Sequence, residues 1–278
     1  MTLLADIRET MTSCILIARK DILMKIRYPA DYLVGILRML LSFLPVLLLW
    51  TYLNHSFQLG SFERYTHTLN YSAYVYFTTV TAVFVQNFIV DASFSLSDEL
   101  RAGTLDYMFV SPIPRAAIIT GTYLSSAILQ GVVCVALLTI GAFVLGLAIT
   151  LQETLLILMC LVILSVSVQC IGSVLGTVTI LKQTIYVSTT IASLIGFLSG
   201  IMFPVTVFPT AVQRISLWLP TTLGIDLIRS TLMRITGYLP VGESLLRMTA
   251  GLIVLVFACV AINTVLLKSI FKEGKNFS

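Results

Sequence analysis

Two groups of charged residues carry the polar chemistry of this chain. Asp98, Glu99, Arg101 and Asp106 fall within one stretch, DELRAGTLDYMFVSPIPR from Asp98 to Arg115, that separates two long apolar runs. Asp226 and Arg229 lie three residues apart in a second polar interruption, a spacing that sets opposite charges on one face of a helix and lets them neutralise each other. Neither group is a catalytic constellation. The first offers exposed charges for contact with something outside the bilayer, and the second reads as a structural ion pair or a substrate contact.

The remaining inventory argues against enzymatic chemistry. A serine hydrolase within a membrane needs a His that reaches a Ser inside the helix bundle, but His55 and His67 both fall in a polar loop. Cys14, Cys134, Cys160, Cys170 and Cys259 lie in apolar or amphipathic segments without metal-ligand spacing, and they read as packing residues; no metal site is expected. There is no GxxxxGK[ST] run, so the chain does not hydrolyse nucleotide by itself. The cores of the apolar runs carry no acid or base of the kind that couples transport to protons or sodium. Energy for uphill transport therefore has to come from another protein.

These residues are positioned by membrane helices. The 278 residues are 58% apolar and 11% charged, with mean hydropathy +0.99, whereas soluble domains carry about 25% charged residues. Runs long enough to cross a hydrocarbon core of ~30 Å, which takes about 20 residues, occur at 33–53, 71–93, 118–148, 154–180, 184–204 and 245–267. With the N-terminus inside, twelve Lys and Arg flank the inner ends of these spans, from Arg8, Arg19, Lys20, Lys25, Arg27 and Arg38 through Arg101, Arg115 and Lys182 to Lys268, Lys272 and Lys275. Five lie outside, namely Arg64, Arg214, Arg229, Arg234 and Arg247, so both termini are expected in the cytoplasm. The positive residues are spread over separate loops, which argues against a nucleic-acid partner. The first twenty residues mix acids and bases and do not read as a cleavable signal peptide.

Between the spans, residues 3–27 repeat Leu3, Ile7, Met11, Cys14, Ala18 and Ile22 at helical spacing, as an interfacial helix on the cytoplasmic leaflet would. In the polar island, Leu96, Leu100, Tyr107 and Val110 share one helical face, Ser95 and Asp98 are spaced as a capping box, and Pro112 and Pro114 stop the helix. The result is a short amphipathic helix over 96–112. Pro204, Pro209, Pro220 and Pro240 divide the apolar stretch 205–243 into pieces too short to cross, which predicts helices near 209–218 and 221–236 dipping into the outer leaflet. Phe57, Phe62, Tyr65, Tyr71, Tyr74, Tyr76 and Phe77 read as an interfacial aromatic belt, with a substrate-stacking platform as the alternative, Asp91 as the exit of the second span, and Gly121, Gly131, Gly141, Gly146, Gly172 and Gly176 as small-residue faces for close helix approach.

The island resembles the coupling segment of the ABC-2 family of ABC transporter permeases, the type V exporter architecture: an acid at Glu99, then Gly103-Thr104-Leu105-Asp106, then Ser111-Pro112, with Asp106 where Glu is more frequent. Phe203-Pro204, Leu219-Pro220-Thr221 and the spacing of Asp226 and Arg229 resemble the same family, so the similarity spans nearly the whole chain as a single domain over 1–278. The resemblance implies an all-α membrane protein with six transmembrane helices, an N-terminal interfacial helix, a cytoplasmic coupling helix and a split re-entrant outer hairpin before the last span.

It further implies the permease subunit of an ATP-driven exporter in the cell membrane. Asp98, Glu99, Arg101, Gly103, Thr104, Leu105, Asp106, Ser111 and Pro112 would couple it to an ATPase, and Pro204, Pro220, Asp226 and Arg229 are candidates for an outer gate. ATP and Mg would be bound by two copies of a separate ATP-binding cassette subunit, with no cofactor in this chain, and a second permease chain, identical or not, would complete the pathway among membrane lipids. Apolar and aromatic walls suit a lipid-linked, amphipathic or drug-like substrate. A scaffold or regulatory subunit that binds an ATPase without transporting, and a passive channel, are the alternatives.

Overall fold

The computed structural model describes residues 2–27, 71–101, 115–182, 186–200 and 204–272, with the single positions Ala30, Leu37 and Leu41. Most of the described residues are helical, and the expected span 33–53 and loop 54–70 lie outside them apart from Leu37 and Leu41. In chain order the helices are α1 (Thr2–Arg27), α2 (Tyr71–Arg101), α3 (Arg115–Val144), α4 (Leu151–Lys182), α5 (Tyr186–Leu198), a 3-10 turn at Val205–Val207, α6 (Thr210–Ser216), α7 (Pro220–Met233) and α8 (Val241–Lys272).

Four of these helices are long and apolar enough to cross a membrane: Ala73–Phe94 in α2, Thr120–Val144 in α3, Leu151–Thr179 in α4 and Val241–Val265 in α8. They correspond to the spans read at 71–93, 118–148, 154–180 and 245–267, with displaced ends. Gly146, at φ +69, ends α3, and the Leu147 amide returns to the Ala142 carbonyl at 2.8 Å. At the start of α4, Thr150 and Glu153 form a capping box: the Thr150 amide donates to Glu153 Oε2 at 2.7 Å and the Glu153 amide to Thr150 Oγ1 at 3.3 Å.

The expected fifth span, 184–204, differs. Its helix α5 has 13 residues and is followed by a turn with Gly200 at φ +77, which gives a rod of about 20 Å at 1.5 Å per residue, short of the ~30 Å core. The helical start expected at Ser95 is absent too, because α2 runs without a break from Tyr71 to Arg101. Residues 96–101 are its last turns, and the rest of the 96–112 helix lies outside the described residues.

The core is built around α4, which packs against α2, α7 and α8. Phe77, Val80, Phe84, Phe88 and Ile89 of α2 meet Ile157, Cys160, Leu164 and Val168 of α4 and Leu223, Leu227 and Ile228 of α7. Tyr74 and Phe77 are buried here, and Tyr76 donates its hydroxyl to the Leu137 carbonyl of α3 at 2.8 Å. These three rings pack the bundle, whereas Phe57, Phe62 and Tyr65 of the expected belt lie outside the described residues; the helical spacing of Tyr74 and Phe77 gives them an inward face that composition alone does not reveal.

Glycine allows the tight α2–α4 contact: a Cβ on Gly172 would lie 2.4 Å from Ala92 Cβ, and one on Gly176 2.9 Å from the Ser93 carbonyl oxygen. Gly121 and Gly141 are similarly close to Ile17 and Tyr76, whereas Gly131 and Gly146 face open space. Thr78, Thr79, Thr81 and Ser93 return their hydroxyls to carbonyls four residues earlier, which satisfies them within the apolar helix.

Helix α1 packs along α3 through Cys14, Ile17 and Ala18. Ser125 of α3 donates to Asp21 Oδ2 at 3.4 Å. Met11, expected with Cys14 and Ala18 on one apolar face, is exposed together with Ile15, Leu16, Leu23, Met24 and Ile26. The helix thus has two apolar sides, one spent on α3 and one bare.

Candidate functional site

Pro220 starts α7 at its first turn, where a missing N–H costs nothing, and Arg234 ends it in the left-handed region at φ 53. Fourteen residues long, the helix is buried on nearly every side, so its two charges cannot reach solvent. Asp226 is 2% exposed and Arg229 3%. Arg229 Nη2 donates to Asp226 Oδ1, forming the ion pair expected from the spacing.

The sequence does not disclose what surrounds the pair. The Arg229 guanidinium carbon lies 4.0 Å from the centroid of the Tyr74 ring and 5.3 Å from that of Tyr238. The Tyr238 amide donates to Asp226 Oδ2 at 2.7 Å, and the Val205 amide donates to the Tyr238 hydroxyl at 3.0 Å. A Cβ on Gly237 would come 2.7 Å from Asp226 Oδ2, so this turn passes close only because the residue is glycine. Desolvating two charges costs several kcal/mol each unless they are paired and hydrogen-bonded, which the pair, the amide and the ring faces provide here. Burial pushes the Asp226 carboxyl above its ordinary 3.8, and the charge of Arg229 and the Tyr238 amide pull it part of the way back.

The pair forms part of the wall of a cleft of about 280 Å³, with Tyr74, Val205, Thr206, Gln213, Leu217, Ile235, Thr236, Gly237 and Tyr238. Gln213 Nε2 is occupied by the carbonyls of Thr206 at 3.0 Å and Phe208 at 2.7 Å. Arg229 Nε, though buried, has no hydrogen-bond partner among the described residues. Pro204 adjoins the cleft through its neighbour Val205, whereas Pro220 packs towards α8, its Cγ 3.0 Å from where a Gly251 Cβ would stand. The four outer-gate candidates, Pro204, Pro220, Asp226 and Arg229, therefore divide between two places.

Of the first charged group, Asp98, Glu99 and Arg101 stand on the last turns of α2. Gly103, Thr104, Leu105, Asp106, Ser111 and Pro112 lie outside the described residues. Asp91 stands near the end of the apolar part of α2, Ala73–Phe94, while the helix itself continues to Arg101, and it accepts a hydrogen bond from Gln130 Nε2 of α3 at 2.5 Å. Two further polar contacts join distant elements. Arg234 Nε donates to Glu153 Oε1 at 3.0 Å and its Nη2 to the Ala148 carbonyl at 2.9 Å, tying the end of α7 to the α3–α4 turn. On α8, Asn263 accepts from Thr177 Oγ1 at 2.9 Å and donates to Ser173 Oγ at 3.2 Å, both on α4. Polar residues inside apolar runs were the available signal for Asp91, Gln130 and Asn263; nothing local marks Tyr238.

Helices of this length and composition, packed around buried polar contacts, define a multi-pass membrane protein. A family model described as ABC-2 type transporter matches residues 12–233, well over half of the chain, and the chain belongs to that family of transport permeases. No curated relative matches it.

Proposed function

We propose that this permease is the membrane subunit of an ATP-driven exporter that moves a lipid-linked, amphipathic or drug-like substrate with energy from a separate nucleotide-binding subunit. The observation that carries this reading is the continuity of α2. Its 31 residues form a rod of about 46 Å whose apolar part is in the core and whose last turns bear Asp98, Glu99 and Arg101. A push on that charged end displaces the core of the bundle directly, because α2 packs on α3, α4, α5 and α7.

In this scheme both termini and the island through Gly103, Thr104, Leu105, Asp106, Ser111 and Pro112 face the cytoplasm of a cell-membrane protein. Two ATP-binding cassette subunits, which hold ATP and Mg, seat against the island, and α1 lies along the inner leaflet. The segment that follows α5, including α6 and α7, enters the outer leaflet without crossing, with Asp226 and Arg229 at an outer gate. A second permease chain supplies the other wall of the pathway.

The test is Glu99→Arg in the chain co-expressed with its ATPase. Insertion and yield should match wild type, while ATPase association falls or hydrolysis no longer drives substrate movement in vesicles. Wild-type coupling in the properly inserted variant would sink the lever.

A further inference from the structure

Cys170 of α4 and Cys259 of α8 are free thiols that face each other across the packed interface of their two helices. We propose that they form a modification site, an intramembrane dithiol that closes to a disulfide when a quinone dissolved in the lipid reaches it. This goes beyond the export reading and does not rest on it, since the chemistry belongs to this chain alone.

Three observations carry it. The first is contact. Ser173 Oγ lies 3.0 Å from Cys259 Sγ and donates to the Cys170 carbonyl at 3.0 Å, so one side chain touches both cysteines. The two thiols are themselves within hydrogen-bond reach of each other, the juxtaposition that a disulfide requires.

The second is alignment. Asn263, one turn along α8 from Cys259, donates from Nδ2 to Cys259 Sγ at 3.4 Å and to Ser173 Oγ at 3.2 Å, and its Oδ1 accepts from Thr177 Oγ1 at 2.9 Å. These bonds fix α8 against α4 at the level of the thiols. Partners ordered before reaction give up little further freedom when the bond forms.

The third is access. Cys170 is 9% exposed, but Cys259 is half-buried, and Val256, Phe257, Val260 and Ile262 around it on α8 are exposed apolar side chains. The cysteines lie within the spans Leu151–Thr179 and Val241–Val265, about 14 Å and 9 Å from the Thr179 and Val265 ends at 1.5 Å per residue. A quinone dissolves at that depth, whereas a charged disulfide such as that of glutathione does not. Cys134 and Cys160, both 0% exposed, are closed to the same reagent.

The reaction balances between the pair and the oxidant. Two S–H bonds break, one S–S bond forms, and two protons and two electrons pass to the quinone, which leaves as a quinol. The closed bond staples α8 to α4, the helix around which the core is built.

The test uses the full-length chain in phosphatidylcholine nanodiscs, treated with decylubiquinone or, in parallel, with glutathione disulfide. Remaining thiols are capped with N-ethylmaleimide in detergent, and the chain is digested without reductant and mapped by mass spectrometry. The peptides bearing Cys170 and Cys259 should appear joined and free of maleimide, and dithiothreitol should separate them. Decylubiquinone should build the link at least about tenfold faster than glutathione disulfide, because access governs the rate at a lipid-facing thiol.

Cys170→Ser and Cys259→Ser should each abolish the link, and Cys134→Ser should leave it unchanged, in chains that elute like wild type. The wild-type digest decides the matter even where a serine variant fails to fold. Maleimide on both Cys170 and Cys259 after quinone treatment, or a link joining other cysteines, would overturn the proposal. Equal rates with the two oxidants would overturn the lipid-phase source. No ATPase or substrate enters the assay, so its outcome is separate from that of the export test.

Discussion

Arg229 of α7 lies on the face of Tyr74 of α2, with the guanidinium carbon 4.0 Å from the ring centroid, so a buried charge clamps α7 to the rod whose last turns bear Asp98, Glu99 and Arg101. The clamp joins the two charged groups of the chain through one side chain. Each end of it makes a separate prediction about stability.

Arg229→Ala or Asp226→Ala leaves the opposite charge buried without its partner and should cost about 3–5 kcal/mol, measured by denaturant or thermal unfolding of the purified protein. Replacing both, as in Asp226→Leu with Arg229→Met, removes the desolvation cost along with the attraction and should cost less than either single change. A double variant that loses the sum of the two single losses would show that the residues do not act as a pair.

Stability should also respond to acid through Asp226. Burial holds its folded pKa above the ordinary 3.8, so the stability from protonating this group is fully present below 3.8 and is lost as pH rises through the raised value. Asp226→Asn does not titrate there. The difference in unfolding midpoint, wild type minus Asp226→Asn, should therefore grow in favour of wild type as pH falls towards 3.8. A gap that is flat or shrinks on acidification would contradict the assignment of burial as the dominant influence.

Two glycines, one on α4 and one on α3, predict opposite signs. Gly176→Ala sets a methyl group 2.9 Å from the Ser93 carbonyl oxygen, a backbone atom that cannot swing away, and should cost about 1–3 kcal/mol by separating α4 from α2. Gly131→Ala in α3 meets nothing within 4 Å and gains helix propensity, so it should be neutral or stabilising by about 0.5–1 kcal/mol. Parallel unfolding curves of the two variants decide the matter.

On α8, Asn263→Leu removes the acceptor of Thr177 and the donor to Ser173. Hydrogen bonds between helices in apolar surroundings are worth about 0.6–2 kcal/mol, and the loss should be of that size. It should appear as a lower unfolding midpoint, together with faster cross-linking of cysteines placed on α8 to reagents in the lipid phase.

The helices of this protein are read well where a local rule decides them. The spans at 71–93 and 245–267 follow from apolar length, the break before α7 from Pro220, and the 226/229 pair from helical spacing. Segment ends depended on details invisible to hydropathy: the left-handed Gly146 closed α3 early, and the Thr150–Glu153 box opened α4 early. Ser95 misled for the opposite reason, since its spacing from Asp98 satisfies a capping rule, but the helix arriving from Tyr71 was already formed and simply continued. The cleft was the least legible part. Tyr74, Val205 and Tyr238 meet the ion pair only through tertiary packing, and Tyr74 looks by composition like any aromatic at a membrane boundary.

Two ties restrict how α7 can move. Its middle is tied by the Tyr238 amide on Asp226, and the residue that ends it, Arg234, is tied to Glu153 and Ala148 at the head of α4. The 234–238 turn is thereby held both to the middle of α7 and to the α3–α4 turn. Any displacement of α7 from Tyr74 must therefore carry the 234–238 turn and the head of α4 along with it.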